Sequence, residues 1–307
     1  MQHTSSVLLF AMYCIMIWQK DLLIIMRGTR RSIRRLEKKC KENAWHSILT
    51  CSRSGKALPA QLSCSRLRRN RKTWHNDKGV YEMFDGFSQR TIDFMWNLRL
   101  NNEKAWFEAH KEDFLRDFQA PMKLLGREVF ERINADYGGY GFIHKLSRIY
   151  KDARRVKGGE PYRCNLWFSM EKPCEEWMSA PGFWFELAPE GWSYGMGYYQ
   201  AKPMTMAKLR ARIDRDPSRF GKLIAPLEKQ GEFVLDGDEY ARKKEAPTQK
   251  TAAWYNKKSF SLIHNQKNGE ELYSRELADR LVSGYKFLMP FYDYFNTLDS
   301  DPDPKTT

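Results

Sequence analysis

FWFELAPEGWSYGMGYY, residues 183–199, alternates large apolar side chains with small or polar ones on both sides of Pro189-Glu190. Trp192, Tyr194, Met196 and Tyr198 fall on one face and Ser193, Gly195 and Gly197 on the other, which predicts two strands joined through Ala188-Pro189-Glu190-Gly191. A glycine loop that cradles phosphate has to follow a strand and open a helix. Here the chain continues extended, so these glycines read as strand residues.

Outside this pair the period becomes helical. Ser88 is placed to cap a helix whose Phe94, Met95 and Leu98 share a face, and Asn101-Asn102 offers a second cap before Trp106, Phe107, His110, Phe114 and Phe118. Pro121 suits a first helical turn followed by Met122, Leu125, Val129 and Ile133, and the run DYGGYG, 136–141, ends that element. Beyond residue 199, helical spacing returns at Met206, Leu209 and Ile213, breaks at Asp216-Pro217, and resumes through Phe220, Ile224 and Leu227. EFVLDGDEY (232–240) and SFSLIHNQ (259–266) read as two short strands, and a last helix carries Leu277, Leu281, Tyr285 and Leu288 before stopping near Pro290. Strands grouped in the middle and helices at the N- and C-terminal ends of the domain predict an α+β fold with a central, mainly antiparallel sheet.

The charge is unevenly placed. Of 52 Lys+Arg and 38 Asp+Glu in 307 residues, residues 1–80 hold 17 and 4, so the rest of the chain is near neutral. Residues 1–82 therefore read as a basic leader outside the fold, preceding Met83 as a working start, with one domain over 83–297 and a disordered tail over 298–307. Within the leader, VLLFAMYCIMIW (7–18) is apolar but is interrupted by Gln19, Lys20 and Asp21. A membrane helix wants about 20 predominantly apolar residues, so a membrane role is not expected. Nor is nucleic acid expected for a domain without net positive charge. No cysteine pair has the C-x-x-C spacing of a zinc or redox site, which points to a reducing, cytoplasmic setting without a metal or other cofactor.

Several chemistries lack their parts: there is no G-x-x-x-x-G-K-[ST], no H-E-x-x-H, no G-x-S-x-G and no helix-opening G-x-G-x-x-G. His110, His144 and His264 are far apart in the chain and read as core histidines. The remaining candidate is RIYKDARRVKGGEPYRCNLWF, residues 148–168. Arg148, Lys151, Arg154, Lys157 and Arg163 cluster around Gly158-Gly159, whose freedom at positive φ lets backbone N–H groups turn inward beside the cations. Arginine forks bind carboxylate or phosphate in bidentate fashion, so this corner is suited to a small anion, with Asp152 orienting an arginine and Tyr162 a candidate to stack on a base or sugar. Asp152 and Glu160 are the candidate acids or bases.

LNNEKAWFEAHKEDF, RIYKDARRVKGGEPYRCNL, PGFWFELAPEGWSYGMGYYQ and KSFSLIHNQ, in that order, resemble the family known as domain of unknown function 2461, found mostly in bacteria; the similarity covers about residues 84–296. On the family's basic signature, Arg148, Asp152, Arg154, Lys157, Pro161 and Tyr162 match, and Lys151 and Arg163 keep its charge. Arg155 stands where the family has Phe, and Gly158-Gly159 where it has Asp-Lys. The resemblance implies a domain and no particular reaction. Three readings stay open: a binder of a small phosphate- or carboxylate-bearing ligand, an enzyme acting on such a ligand through Asp152 or Glu160, and a protein-interaction module whose charged corner is scaffold.

Overall fold

Six strands form one sheet in the order β3-β4-β5-β6-β8-β7, every neighbouring pair antiparallel, in a computed structural model that describes residues 73–76, 79–152 and 159–304. The chain runs β1 (Thr73–Asn76), β2 (Gly79–Glu82), α1 (Gln89–Leu100), α2 (Lys104–Ala109), a continuous π-helical stretch (Phe114–Gln119) into α3 (Ala120–Tyr137), then β3 (Ile143–Leu146), β4 (Leu166–Glu171), β5 (Pro181–Ala188) and β6 (Gly191–Tyr198). It continues through α4 (Pro203–Arg215), α5 (Pro217–Lys229), β7 (Val234–Asp236), a one-turn helix at Ala252–Tyr255, β8 (Ser261–Lys267) and α6 (Glu276–Asn296). This is the α+β architecture the periodicity predicts, with α4 and α5 inserted between β6 and β7.

The strand pair 183–199 sits at the centre as expected. Phe183, Phe185, Leu187, Trp192, Tyr194, Met196 and Tyr198 are all buried on one face. Against that face lies α6, with Tyr285 and Tyr292 ring-to-ring with Phe183 at 5.3 and 5.2 Å. Gly284 makes this approach fit, since a Cβ there would stand 2.4 Å from the Tyr194 hydroxyl oxygen. At the other end of the sheet α3 meets β3 and β4, and a Cβ on Gly126 would meet His144 Nε2 at 2.4 Å. On the far face a Cβ on Gly195 would fall 2.0 Å from the Leu262 carbonyl oxygen, so bare glycine there lets β6 and β8 close up.

The structure departs from expectation in several places, each for a physical reason. Asn102 does not cap α2; Glu103 occupies that position, and the Asn102 side chain is bonded elsewhere. Pro121 stands in the first turn of α3, as expected, but the π-helical stretch runs into that turn without a break. The proline lacks the N–H that an α-helix would aim at the Asp117 carbonyl, and that carbonyl instead accepts from the Thr91 hydroxyl at 2.5 Å. Helix α6 does not stop at Pro290. A helix-interior proline costs about 3 kcal/mol, whereas burying Phe291, Tyr292 and Phe295 returns about 1.5–3 kcal/mol for each side chain.

The expected disordered tail is instead docked through residue 304. Leu298 is buried, and Asp301 receives a 2.6 Å bond from Arg212 Nε. Within the expected leader, β1 and β2 pair from Thr73 with Glu82 to Asn76 with Gly79, strands too short to register as a sustained alternation. The apolar stretch 7–18 lies outside the described residues. Among the described residues, no helix is long and apolar enough to cross a membrane.

Candidate functional site

Two backbone bonds stitch residues 148–152 to residues 159–163, Lys151 N–H to the Pro161 carbonyl (2.9 Å) and Arg163 N–H to the Ile149 carbonyl (2.7 Å). RIYKD is therefore not a strand; only Tyr150 is bridged, to Tyr162. Asn102, from the turn before α2, clamps the same point: its Nδ2 donates to the Tyr162 carbonyl and its Oδ1 accepts from the Tyr162 N–H, both at 3.0 Å. A side-chain amide offers one donor and one acceptor in the geometry of a backbone amide, so Asn102 acts as one further rung of the ladder. Below it, Phe107 of α2 stacks on Tyr162 at 4.2 Å. Burial, with smaller effects from Tyr150 and Glu108, pushes the Tyr162 phenol above its usual pKa.

Polar contacts extend this anchor to the end of the sheet. Asn102 Nδ2 also points at Cys164 Sγ (3.6 Å). Asn165 donates to Glu186 of β5. Arg99, at the end of α1, grips Glu190 of the β5–β6 turn with both guanidinium nitrogens. That fork holds Glu190 below the usual carboxylate range and Arg99 above its own. Both partners of the fork are substantially exposed, so it contributes only about 0–1 kcal/mol; its effect is to fix position. The four resembling segments thus meet at one corner, since Asn268, just beyond the fourth, also donates to the Pro189 carbonyl at 2.7 Å.

The sequence-derived candidates are distributed unevenly over this corner. Arg148 is exposed, Arg163 is half-buried, and neither side chain has a hydrogen bond or ion pair among the described residues. Lys151 is engaged by Glu160 at 3.1 Å. Asp152 is half-buried. Tyr162 is 2% exposed and packs inward, while Tyr150 is 51% exposed. Arg154, Lys157 and Gly158 lie outside the described residues. Sequence reasoning missed Arg99, Asn102 and Asn165. Of these only Asn102 carried a signal, and the signal was that of a helix cap.

The histidines belong to other surroundings. His110 Nδ1 lies 2.8 Å from the Trp106 carbonyl, an acceptor, so in the neutral ring Nδ1 carries the proton and Nε2 is the free base. With Asp93 and Asn97 of α1, His110 lines a cleft of about 460 Å³ between α1 and the π-helical stretch. His144 is half-buried against Phe130 and Phe168, and that burial lowers its pKa. His264 Nδ1 meets the Glu232 carbonyl at 2.9 Å. Glu232 also accepts from Arg280 Nε at 2.8 Å and from the Tyr194 hydroxyl, whose pKa is raised by burial and then by that bond. Among the described residues, no group of three or more His, Cys, Asp or Glu is placed to hold a metal ion.

Comparison with curated proteins gave no match. The family described as Conserved hypothetical protein (DUF2461) matches residues 90–294, a span that holds α1, the stitched segments, the whole six-stranded sheet and nearly all of α6. The residues that converge on the corner, Asn102, Tyr162, Cys164 and Glu186 among them, all fall inside the match, and the chain belongs to the DUF2461 family.

Proposed function

We propose that this is a cytoplasmic ligand-binding domain that takes a small phosphate- or carboxylate-bearing molecule at the stitched segments 148–152 and 159–163. The observation that carries the reading is the contrast between a rigid frame and unspent cations. The two segments are held by two backbone bonds, the Asn102 clamp and the Phe107 stack, yet Arg148 and Arg163 on that frame have no partner among the described residues. Guanidinium groups whose backbone is already fixed lose less freedom on capturing an oxyanion, which is how preorganisation raises affinity. Glu160 is spent on Lys151, which favours binding over turnover. Both described cysteines are free thiols, in keeping with a reducing compartment.

A thermal-shift panel on the full chain tests this, using orthophosphate, sugar phosphates, nucleotides and dicarboxylates against the parent, Arg148→Gln and Arg163→Gln. A ligand at 100 times its Kd stabilises by about 2.7 kcal/mol, which for a domain of this size raises Tm by about 5–10 °C. The basic residues before position 80 are common to all three proteins, so attraction to them cancels in the comparison. The expected result is a shift in the parent that is lost in one or both variants. An equal shift in all three, or none in any, sinks the proposal.

A further inference from the structure

Resting on that reading, we infer that the ligand joins its anionic group to a planar ring, and that Tyr150 is the platform on which the ring stacks while Arg148 holds the anion. Tyr150 is 51% exposed. It is nonetheless held in place: its ring meets Tyr162 at 5.3 Å and stands edge-on to Phe107 at 5.9 Å, and its backbone is bridged to Tyr162. A ring fixed from behind and open in front presents a stacking face at little entropic cost.

The neighbouring residues supply the other half. Ile149 is only 4% exposed, and its burial turns both Arg148 and Tyr150 outward to solvent. Of the neighbouring aromatic side chains, Tyr162 is buried and Trp106 is covered by His110, stacked at 4.1 Å. The chemistry recognised is therefore that of a nucleoside monophosphate or an aryl phosphate, rather than of inorganic phosphate or an aliphatic acid.

Calorimetric titration of the full chain with orthophosphate, ribose 5-phosphate, adenosine 5′-monophosphate and phenyl phosphate separates the possibilities. Stacking on an aromatic side chain corresponds to at least about fivefold in affinity. The two ring-bearing phosphates are expected to bind at least that much more tightly than the two without a ring. Tyr150→Leu should erase that difference while leaving orthophosphate binding unchanged, and Tyr150→Phe should retain it. Because the side chain is half in solvent, both variants should melt within a few degrees of the parent. If all four ligands bind alike and Tyr150→Leu changes nothing, the ring platform is overturned and anion binding survives. If none of the four binds the parent, the anion site fails, and the platform with it.

Discussion

Asn102 spends its amide on the backbone of another segment, and much of the corner's order depends on that choice. Its two 3.0 Å bonds satisfy the Tyr162 N–H and carbonyl, groups that have little access to water. Leaving such groups unpaired costs about 1–3 kcal/mol, so Asn102→Ala should lower the urea midpoint with an unchanged m-value and weaken anion binding, although residue 102 need not touch the ligand. An unchanged midpoint would show that the stitched segments hold themselves. The same residue explains why the site was only partly legible in the sequence. Asparagine before a helical run reads as a cap because capping and clamping use one chemistry, and nothing local reports that the acceptor lies sixty residues away. The tyrosines were ambiguous for a related reason. A segment bridged at a single position has no period, so the sequence could not tell that Tyr162 turns inward and Tyr150 outward.

Among the elements, those with many repeats of one period were read correctly, and so was the short β7, whereas β3 and β4 were not. The central strand pair has eight residues on each side; every second one is buried in β5, and in β6 Gly195 and Gly197 of the other face are buried as well. In contrast β3 spans four residues, and the alternation of Leu166, Phe168 and Met170 in β4 is masked by Trp167 on the other face. Pro290 misled, because a missing N–H is a local penalty that tertiary contacts can outweigh. At Pro121 the compensation has a named donor: the Thr91 hydroxyl gives its hydrogen to the Asp117 carbonyl and accepts from the Ser88 N–H. Thr91 is fully buried, so Thr91→Val, close in shape but without the hydroxyl, should destabilise by about 1–3 kcal/mol. Calorimetry would register this as a lower Tm, and a variant as stable as the parent would mean that the π-helical stretch needs no outside donor.

Across the whole molecule, one sheet carries the core on the face that α3 and α6 cover, and the C-terminal segment is latched back onto α4. Arg212 of α4 reaches the Tyr294 carbonyl at 2.6 Å, the Thr297 carbonyl at 3.0 Å and the Asp301 carboxylate, giving the last turn of α6 the cation that its carbonyls favour. The bond from Arg212 holds the Asp301 pKa below the ordinary aspartate value. A depressed carboxylate pKa contributes stability that is complete above the unfolded value of about 3.9 and is lost as pH falls through the folded value. Asp301→Asn should therefore lower Tm at pH 7, and the gap from the parent should close on acidification below about pH 4. A gap that persists unchanged in acid would assign the effect to packing. This latch was invisible in the sequence, where a run of Asp and Pro after an amphipathic helix reads as solvated chain. The sheet's two ends bear on the behaviour of many molecules together. Its edges are the four residues of β3 and the three of β7, and Gly237, at φ 128°, turns the chain away directly after β7. Strand-by-strand polymerisation needs a long unpaired edge as a template, and among the described residues neither end of this sheet provides one, so growth from these edges should be absent, and light scattering of a protein starting at residue 83 should not climb over days.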